Sequence, residues 1–317
     1  MGVHGDRAAL LQPLLGGDRR ALARALTLVE SREAGFRELL RGIAPHLGRA
    51  HRVGVTGAPG VGKSSLVAVL VTKARAKGMT VAVLAVDPTS PFTGGALLGD
   101  RVRMTDHVGD DGVFVRSMAS RGALGGLSTA TGDALDVLDA GGFDLILTET
   151  VGAGQVDVEI AHESETTLVL FAPGAGDAIQ AMKRGLMEVA DLWVVNKADD
   201  AAAEKVRGDL VGSLSLHEPP DDLEERVVLT SAKDGAGVDG LLGMLCARGA
   251  ALESSGARDD LARGRIRRRL AAAACDLVAE RLLGASADPL IDAVVTGDRS
   301  VHDAVEDILR MDDGDRT

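Results

Sequence analysis

Seven short runs of β-branched and apolar residues recur along the chain, at 52–55, 80–86, 113–116, 143–148, 166–171, 192–195 and 226–229. Between most of them lie segments with helical spacing and good helix formers, such as 64–76 and 127–139. Buried strands that alternate with amphipathic helices are satisfied by a parallel sheet covered on both faces. The expected fold is therefore α/β, a doubly wound, mostly parallel sheet over residues 50–250. A helical extension, 1–49, precedes it, with Leu22, Ala25, Leu26 and Val29 at helical spacing. A helical segment, 251–317, follows, with Leu261, Ile266, Leu270 and Leu277 before Asp288-Pro289 interrupts it. The α/β core is complete without that tail, so its apolar stripe needs a cover, and a homodimer through the tail is expected. The charged stretch 263–269 reads as a solvated helix face.

The sequence Gly57-Ala58-Pro59-Gly60-Val61-Gly62-Lys63-Ser64, continued by Ser65, fits the GxxxxGK[ST] pattern between an expected strand and an expected helix. Glycines there let backbone N–H groups wrap a phosphate at a helix N-terminus, which favours anions. Lys63 would reach the β and γ phosphates, and the Ser64 hydroxyl would bind Mg²⁺. This makes the α/β unit a P-loop nucleotide-binding domain. Asn196-Lys197-Ala198-Asp199 follows the run 192–195 and suits guanine, because an Asp carboxylate accepts from both N1–H and the 2-amino group. Adenine lacks that donor pair and would leave the carboxylate unpaired. Ser231-Ala232-Lys233, after the last run, reads as a backbone cradle for guanine O6.

Acids for metal binding and γ-phosphate sensing lie between these motifs. Asp87 ends a strand, Asp100 follows a glycine-rich loop, and Glu149 ends a strand just before Gly152. A strand-terminal acid beside a P-loop suits a Mg²⁺ partner, and a following Gly N–H suits the γ-phosphate. For each acid a cap or turn role is the plain alternative. No Gln directly follows Gly152, since Ala153 does, so a group that would position water is missing there. Only seven of the 35 cationic residues are lysines, and Lys63, Lys183, Lys197 and Lys233 are among them. A lysine kept in an arginine-rich chain hints at a site that needs a compact ammonium.

Four segments together resemble one family: DPTSPFTGG from Asp87 to Gly95, GDRVRM from Gly99 to Met104, ETVG from Glu149 to Gly152, and PGAGD from Pro173 to Asp177. They are similar to the methylmalonyl-CoA mutase-associated GTPases of the MeaB or ArgK type, also called LAO/AO transport-system proteins. The resemblance spans about Ala21 to Leu309. Thr89, Thr93 and Ala96 depart from it where Ser is expected, and Leu290 stands where an aromatic is expected. The resemblance implies a GTP- and GDP-binding, Mg²⁺-dependent GTPase that serves an adenosylcobalamin-dependent acyl-CoA mutase as a chaperone, gating cofactor loading and protecting the enzyme. It also implies acidic metal and switch positions at Asp87, Asp100 and Glu149, and a third switch holding Gln180 and Lys183. A slow intrinsic rate and activation by the partner, with Lys183 as a candidate cation, would follow.

Composition narrows the alternatives. With 47 acids against 35 bases, the net charge of −12 disfavours nucleic acid as a partner. Cys246 and Cys275 lie far apart and form no CxxC pair, and the apolar runs are far short of the ~18 residues of a membrane span. No leader is legible, so the cytoplasm is expected. A GTPase that delivers nickel or another metal would carry a ligand cluster, which seven histidines and two cysteines do not form here. A kinase of an arginine/ornithine transport component is opposed by the guanine motif. A flavin or NAD enzyme is opposed by the lack of GxGxxG after the first strand.

Overall fold

The computed structural model describes residues 5–88, 109–120, 128–150, 155–174, 189–216, 223–282 and 288–310. Seven strands form, at β1 (His51–Gly57), β2 (Val81–Pro88), β3 (Val113–Ser120), β4 (Leu145–Thr150), β5 (Thr166–Phe171), β6 (Leu192–Val195) and β7 (Val227–Leu229). Each overlaps one of the runs read from the sequence. They make one sheet ordered β3-β2-β4-β1-β5-β6-β7, parallel at every pairing.

The pleat sends alternate residues to opposite faces. On one face Val53, Val55, Val81, Val83, Leu168 and Leu170 pack with α4 (Lys63–Ala76) and α9 (Val238–Ser255). On the other, Ala82, Leu84, Val86 and Ile146 pack with α2 (Arg19–Glu30), α3 (Phe36–Ile43) and α5 (Ser128–Ala140). Toward the β7 edge, Val169, Phe171, Trp193 and Val195 meet α7 (Ala203–Leu214), and α8 (Leu223–Arg226) leads into β7. Within the expected helical extension, and ahead of the stripe at 22–29, lies α1 (Gly5–Leu15), which contains Pro13 and buries Leu14 completely. Asp18 then caps α2, accepting from the Ala21 N–H at 2.7 Å.

Asp139, at the end of α5, holds the N-terminal segment to the sheet. Its carboxylate accepts from the N–H groups of Gly48, Arg49 and Ala50 at 2.8–3.0 Å and from Arg52 of β1 at 2.9 Å. Burial works to raise its pKa, but the Arg52 guanidinium and the Ala50 and Gly48 N–H groups outweigh it and hold the carboxyl below its ordinary value.

Beyond α9 the chain forms α6's neighbour α10 (Ala257–Leu282), then α11 (Asp288–Thr296) and α12 (Val301–Arg310), while α6 itself spans Gln155–Glu163. Asp288 and Pro289 open α11, where proline's fixed φ suits a first helical turn. The stretch 263–269 is a solvated face only in part: Arg263, Arg267 and Arg268 are exposed, while Arg265 and Arg269 turn inward. Arg265 is only 8% exposed, and Arg269 pairs with Asp133 and, at 2.7 Å, with Asp136. The apolar residues point outward instead, with Ile266 54% and Leu270 66% exposed. Between α10, α3 and α5 lies a cavity of about 680 Å³, lined in part by Phe36, Leu47, Arg52, Arg269 and Leu270. No described helix is long and apolar enough to cross a membrane.

Asp139→Ala is expected to lower the unfolding free energy by about 3–5 kcal/mol at neutral pH, the range for removing one partner of a buried pair. The folded carboxyl titrates below its unfolded value of about 4, so its contribution is complete above that value and is lost as pH falls through the depressed value. Urea unfolding at about pH 7 and about pH 3 checks this. The gap between wild type and variant should be wide at the first and narrow at the second, and a gap independent of pH would contradict it.

Candidate functional site

The strand order reverses around β1, because the chain runs from β1 outward through β2 to β3 and then returns to β4 and crosses to β5. In open parallel sheets, ligands bind at the carboxyl ends of strands where the winding reverses. The loop 57–62 sits there, directly after β1. Gly57 has φ +145°, and a Cβ on it would lie 2.5 Å from the Leu170 carbonyl oxygen. Gly62 has φ +95°, and a Cβ there would lie 2.5 Å from Asn196 Nδ2. Both positions therefore require glycine, for conformation and for close approach.

Two lysines are folded onto this loop. Lys63, almost fully buried, donates from Nζ to the carbonyl oxygens of Gly57 at 2.7 Å and Ala58 at 3.1 Å. Lys197 donates to the Gly60 carbonyl at 2.8 Å and holds a left-handed φ of +60°, unusual for a side chain of its size. Ser64, at the start of α4, donates to Glu149 Oε1 at 2.5 Å, and Glu149 is 3% exposed. The register that sets Val55 beside Glu149 across β1 and β4 brings these two oxygens together. Ser65 and Pro59 face solvent, and Val61 is buried.

Asn196 joins the phosphate-side loop to the loop after β7. Its Nδ2 donates to the Val61 carbonyl at 3.0 Å, and its Oδ1 accepts from the Ala232 N–H at 3.1 Å and from Thr230 Oγ1 at 3.3 Å. Asp199 accepts from Ser231 Oγ at 3.2 Å and from Lys233 Nζ at 3.3 Å. The hydrogen bond from the Lys233 ammonium, with help from Ser231, holds the Asp199 carboxyl below its ordinary range. It is thus ionised at neutral pH, as an acceptor of two N–H groups must be.

The residues 57–64, Glu149, 196–199 and 231–233 therefore converge. Asp87 lies in β2 opposite Ala119, with its side chain outside the described set. Asp100, Gly152, Gln180 and Lys183 lie outside the described residues. Thr230, wholly buried against Asn196, was missed in the sequence, and its position just before Ser231-Ala232-Lys233 is the signal that marks it. Among the described residues no group of three or more His, Cys, Asp or Glu side chains is arranged for a metal. Ser64 and Glu149 are hard oxygen donors, and with nucleotide phosphates they fit Mg²⁺, which often takes only one or two carboxylates from the protein.

The family profile described as methylmalonyl Co-A mutase-associated GTPase MeaB matches residues 22–287. A putative GTPase of Pyrococcus horikoshii is 42% identical over 305 residues, 95% of this chain and 96% of that protein. The GTPase ArgK of Escherichia coli is 40% identical over 240 residues, 73% of this chain and 72% of its own. Among solved structures, one described as an LAO/AO transport system kinase superposes with a TM-score of 0.72 at 28% identity, over 98% of each chain.

If Asp199 receives the base as its sequence motif suggests, replacing it with Asn would exchange an acceptor for a donor there. Asp199→Asn is expected to weaken GTP binding by about 100-fold or more and to admit xanthosine triphosphate, whose position 2 presents the complementary group. Titration calorimetry with both nucleotides checks it, and unchanged preference for GTP would remove Asp199 from the base pocket.

Proposed function

The chain belongs to the methylmalonyl-CoA mutase-associated GTPase family, a family of P-loop GTPases that bind guanine nucleotide, and we propose that it is the Mg²⁺-dependent G-protein chaperone of an adenosylcobalamin-dependent acyl-CoA mutase, gating cofactor loading and protecting the mutase in the cytoplasm. The observation that carries this reading is the extent of the family match. It runs from α2 to beyond α10 and so takes in helices that a nucleotide site alone does not need.

In this reading the N–H groups of 57–64 and the first turn of α4 hold the phosphates. The Lys63 ammonium turns from the loop carbonyls to the β and γ oxygens. Ser64 and Glu149, with Asp87 and Asp100, would hold Mg²⁺, which would supply positive charge against the transferred phosphoryl group. The N–H of Gly152 donates to a γ-phosphate oxygen. Asp199 takes the guanine N1–H and 2-amino groups, while Asn196 and the loop 231–233 border O6. Lys197 covers the loop from the base side. No Gln directly follows Gly152, so hydrolysis is slow until the partner completes the stabilisation of charge, with Gln180 and Lys183 in the responding segment.

We also assign residues 251–317 to dimerisation, beside an extension at 1–49 and the nucleotide domain at 50–250. The outward apolar face of α10 supports this, because Ile266, Leu270 and Leu277 would otherwise stay in water at a cost of roughly 1.5–3 kcal/mol for each side chain when fully exposed.

Addition of an acyl-CoA mutase is expected to raise GTP turnover by roughly 10-fold or more, far below the ~10⁵ of an arginine finger supplied in trans. Lys183→Ala should lose that stimulation. If no acyl-CoA mutase stimulates the wild type, the partner falls and the GTPase remains. For the dimer, light scattering of the wild type should give twice the chain mass, and Ile266→Asp with Leu270→Asp should give a monomer. A wild-type monomer throughout the micromolar range would refute the assignment.

A further inference from the structure

Two stripes run along α10. Arg258, Arg265, Arg269 and Asp276 fall on one line of the helix, and Ile266, Leu270 and Leu277 lie roughly 100° around from it. The charged line faces inward. Arg258 and Arg265 flank Glu165 at 3.5 and 3.7 Å, and Arg269 takes Asp133 and Asp136 of α5. Asp276 holds Arg32 at 2.9 Å, and Arg268 donates to the His162 carbonyl at 2.9 Å. Asp133 and Asp136 lie on α5 and His162 on the last turn of α6, while Glu165 stands two residues beyond α6, in the link to β5.

The end of α6 is drawn tightly into this seam. Glu163 is 2% exposed, and burial pushes its carboxyl above the ordinary range, with Arg269 and then Arg52 partly opposing. Glu163 and Arg269 meet over Gly132, in the interior of α5. A Cβ on Gly132 would lie 2.9 Å from Glu163 Oε2 and 2.8 Å from Arg269 Nε. Glycine weakens a helix interior, so its presence here answers to that close approach.

The other end of α6 starts five residues after Thr150, and Thr150 follows the Glu149 that binds Ser64. One short helix therefore leads from the nucleotide site to the arginine line. We propose that α6 and the arginine line of α10 couple the nucleotide state to the C-terminal helices, so that exchange of GTP for GDP at 57–64 and Glu149 changes how α10 is held. This rests on the nucleotide site proposed above. The hydrogen bond from Arg268 to the His162 carbonyl and the Glu165 carboxylate between Arg258 and Arg265 depend on where the end of α6 lies, so a displacement of α6 reaches α10.

Hydrogen exchange on the full-length protein, with GDP and with a non-hydrolysable GTP analogue, tests the coupling. In the wild type, amides of 257–282 should differ between the two states by about 3-fold or more in exchange rate. Arg269→Met should abolish that difference while nucleotide still protects 57–64. Gly132→Ala, which keeps every charge and only wedges the seam, should reduce the difference, and it decides the case if Arg269→Met does not fold. A wild type in which α6 responds and α10 does not overturns the proposal. So does a variant whose α10 responds as fully as the wild type. Absence of protection at 57–64 by either nucleotide would instead remove the nucleotide site, and the coupling with it.

Discussion

Strand β1 has no face toward water. All seven of its residues are buried, with β4 on one side and β5 on the other supplying its backbone partners. A strand so placed cannot leave a polar side chain unanswered, and each of its polar residues has become a structural tie. Arg52 reaches Asp136 and Asp139, and so fixes α5 to the sheet. His51 shares a hydrogen bond with Thr166 Oγ1 at 2.8 Å, and burial, aided by Arg258 and Arg248, lowers its pKa to about 4. It is therefore a neutral ring near pH 7. The same strand ends where the winding of the sheet reverses, which leaves its carboxyl end free for the glycine-rich loop.

From that loop the geometry passes to the base side through one amide. Asn196 is 1% exposed and satisfies both of its ends, one on the Val61 carbonyl and the other on Ala232 and Thr230. A buried amide that lost either side would be left with unpaired polar atoms, at a cost of about 1–3 kcal/mol. The loop 57–62 and the loop 231–233 are thus held in register, and Gly62 is the residue that permits so close an approach. Preorganisation of this kind reduces the ordering that binding would otherwise require.

β4, β5 and β6 were legible because they are buried on both faces and carry runs such as Leu145-Ile146-Leu147 and Leu168-Val169-Leu170-Phe171, whereas β1 showed through Val53 and Val55 before the glycine-rich loop. The site motifs were legible because phosphate and guanine demand particular residue types at fixed spacing. Other features depend on approaches that spacing does not record. Thr230 matters through Asn196, and Gly132 matters because Glu163 and Arg269, from two other helices, both close over it. The stretch 263–269 carries the pattern of a surface helix, and only the fold brings Asp133, Asp136 and Glu165 beneath it. Helix α1 lies within the extension read as helical, but Pro13 within its length left its bounds unmarked.

Helices α9 and α10 are consecutive, separated by Gly256, yet they are attached to the core in opposite ways. α9 buries Leu241, Leu242 and Leu245 among the sheet's valines, a contact that is non-directional and gains free energy with area. α10 instead turns arginines inward and leaves its apolar residues outside. A buried ionic seam gives little net stability, because desolvation of the charges offsets most of their attraction. It does give a narrow geometric optimum, since Arg258 and Arg265 must share Glu165 while Arg269 spans Asp133 and Asp136. The first helix is thereby fixed to the domain, while the second is held in a position that depends on where α5 and α6 place their acids.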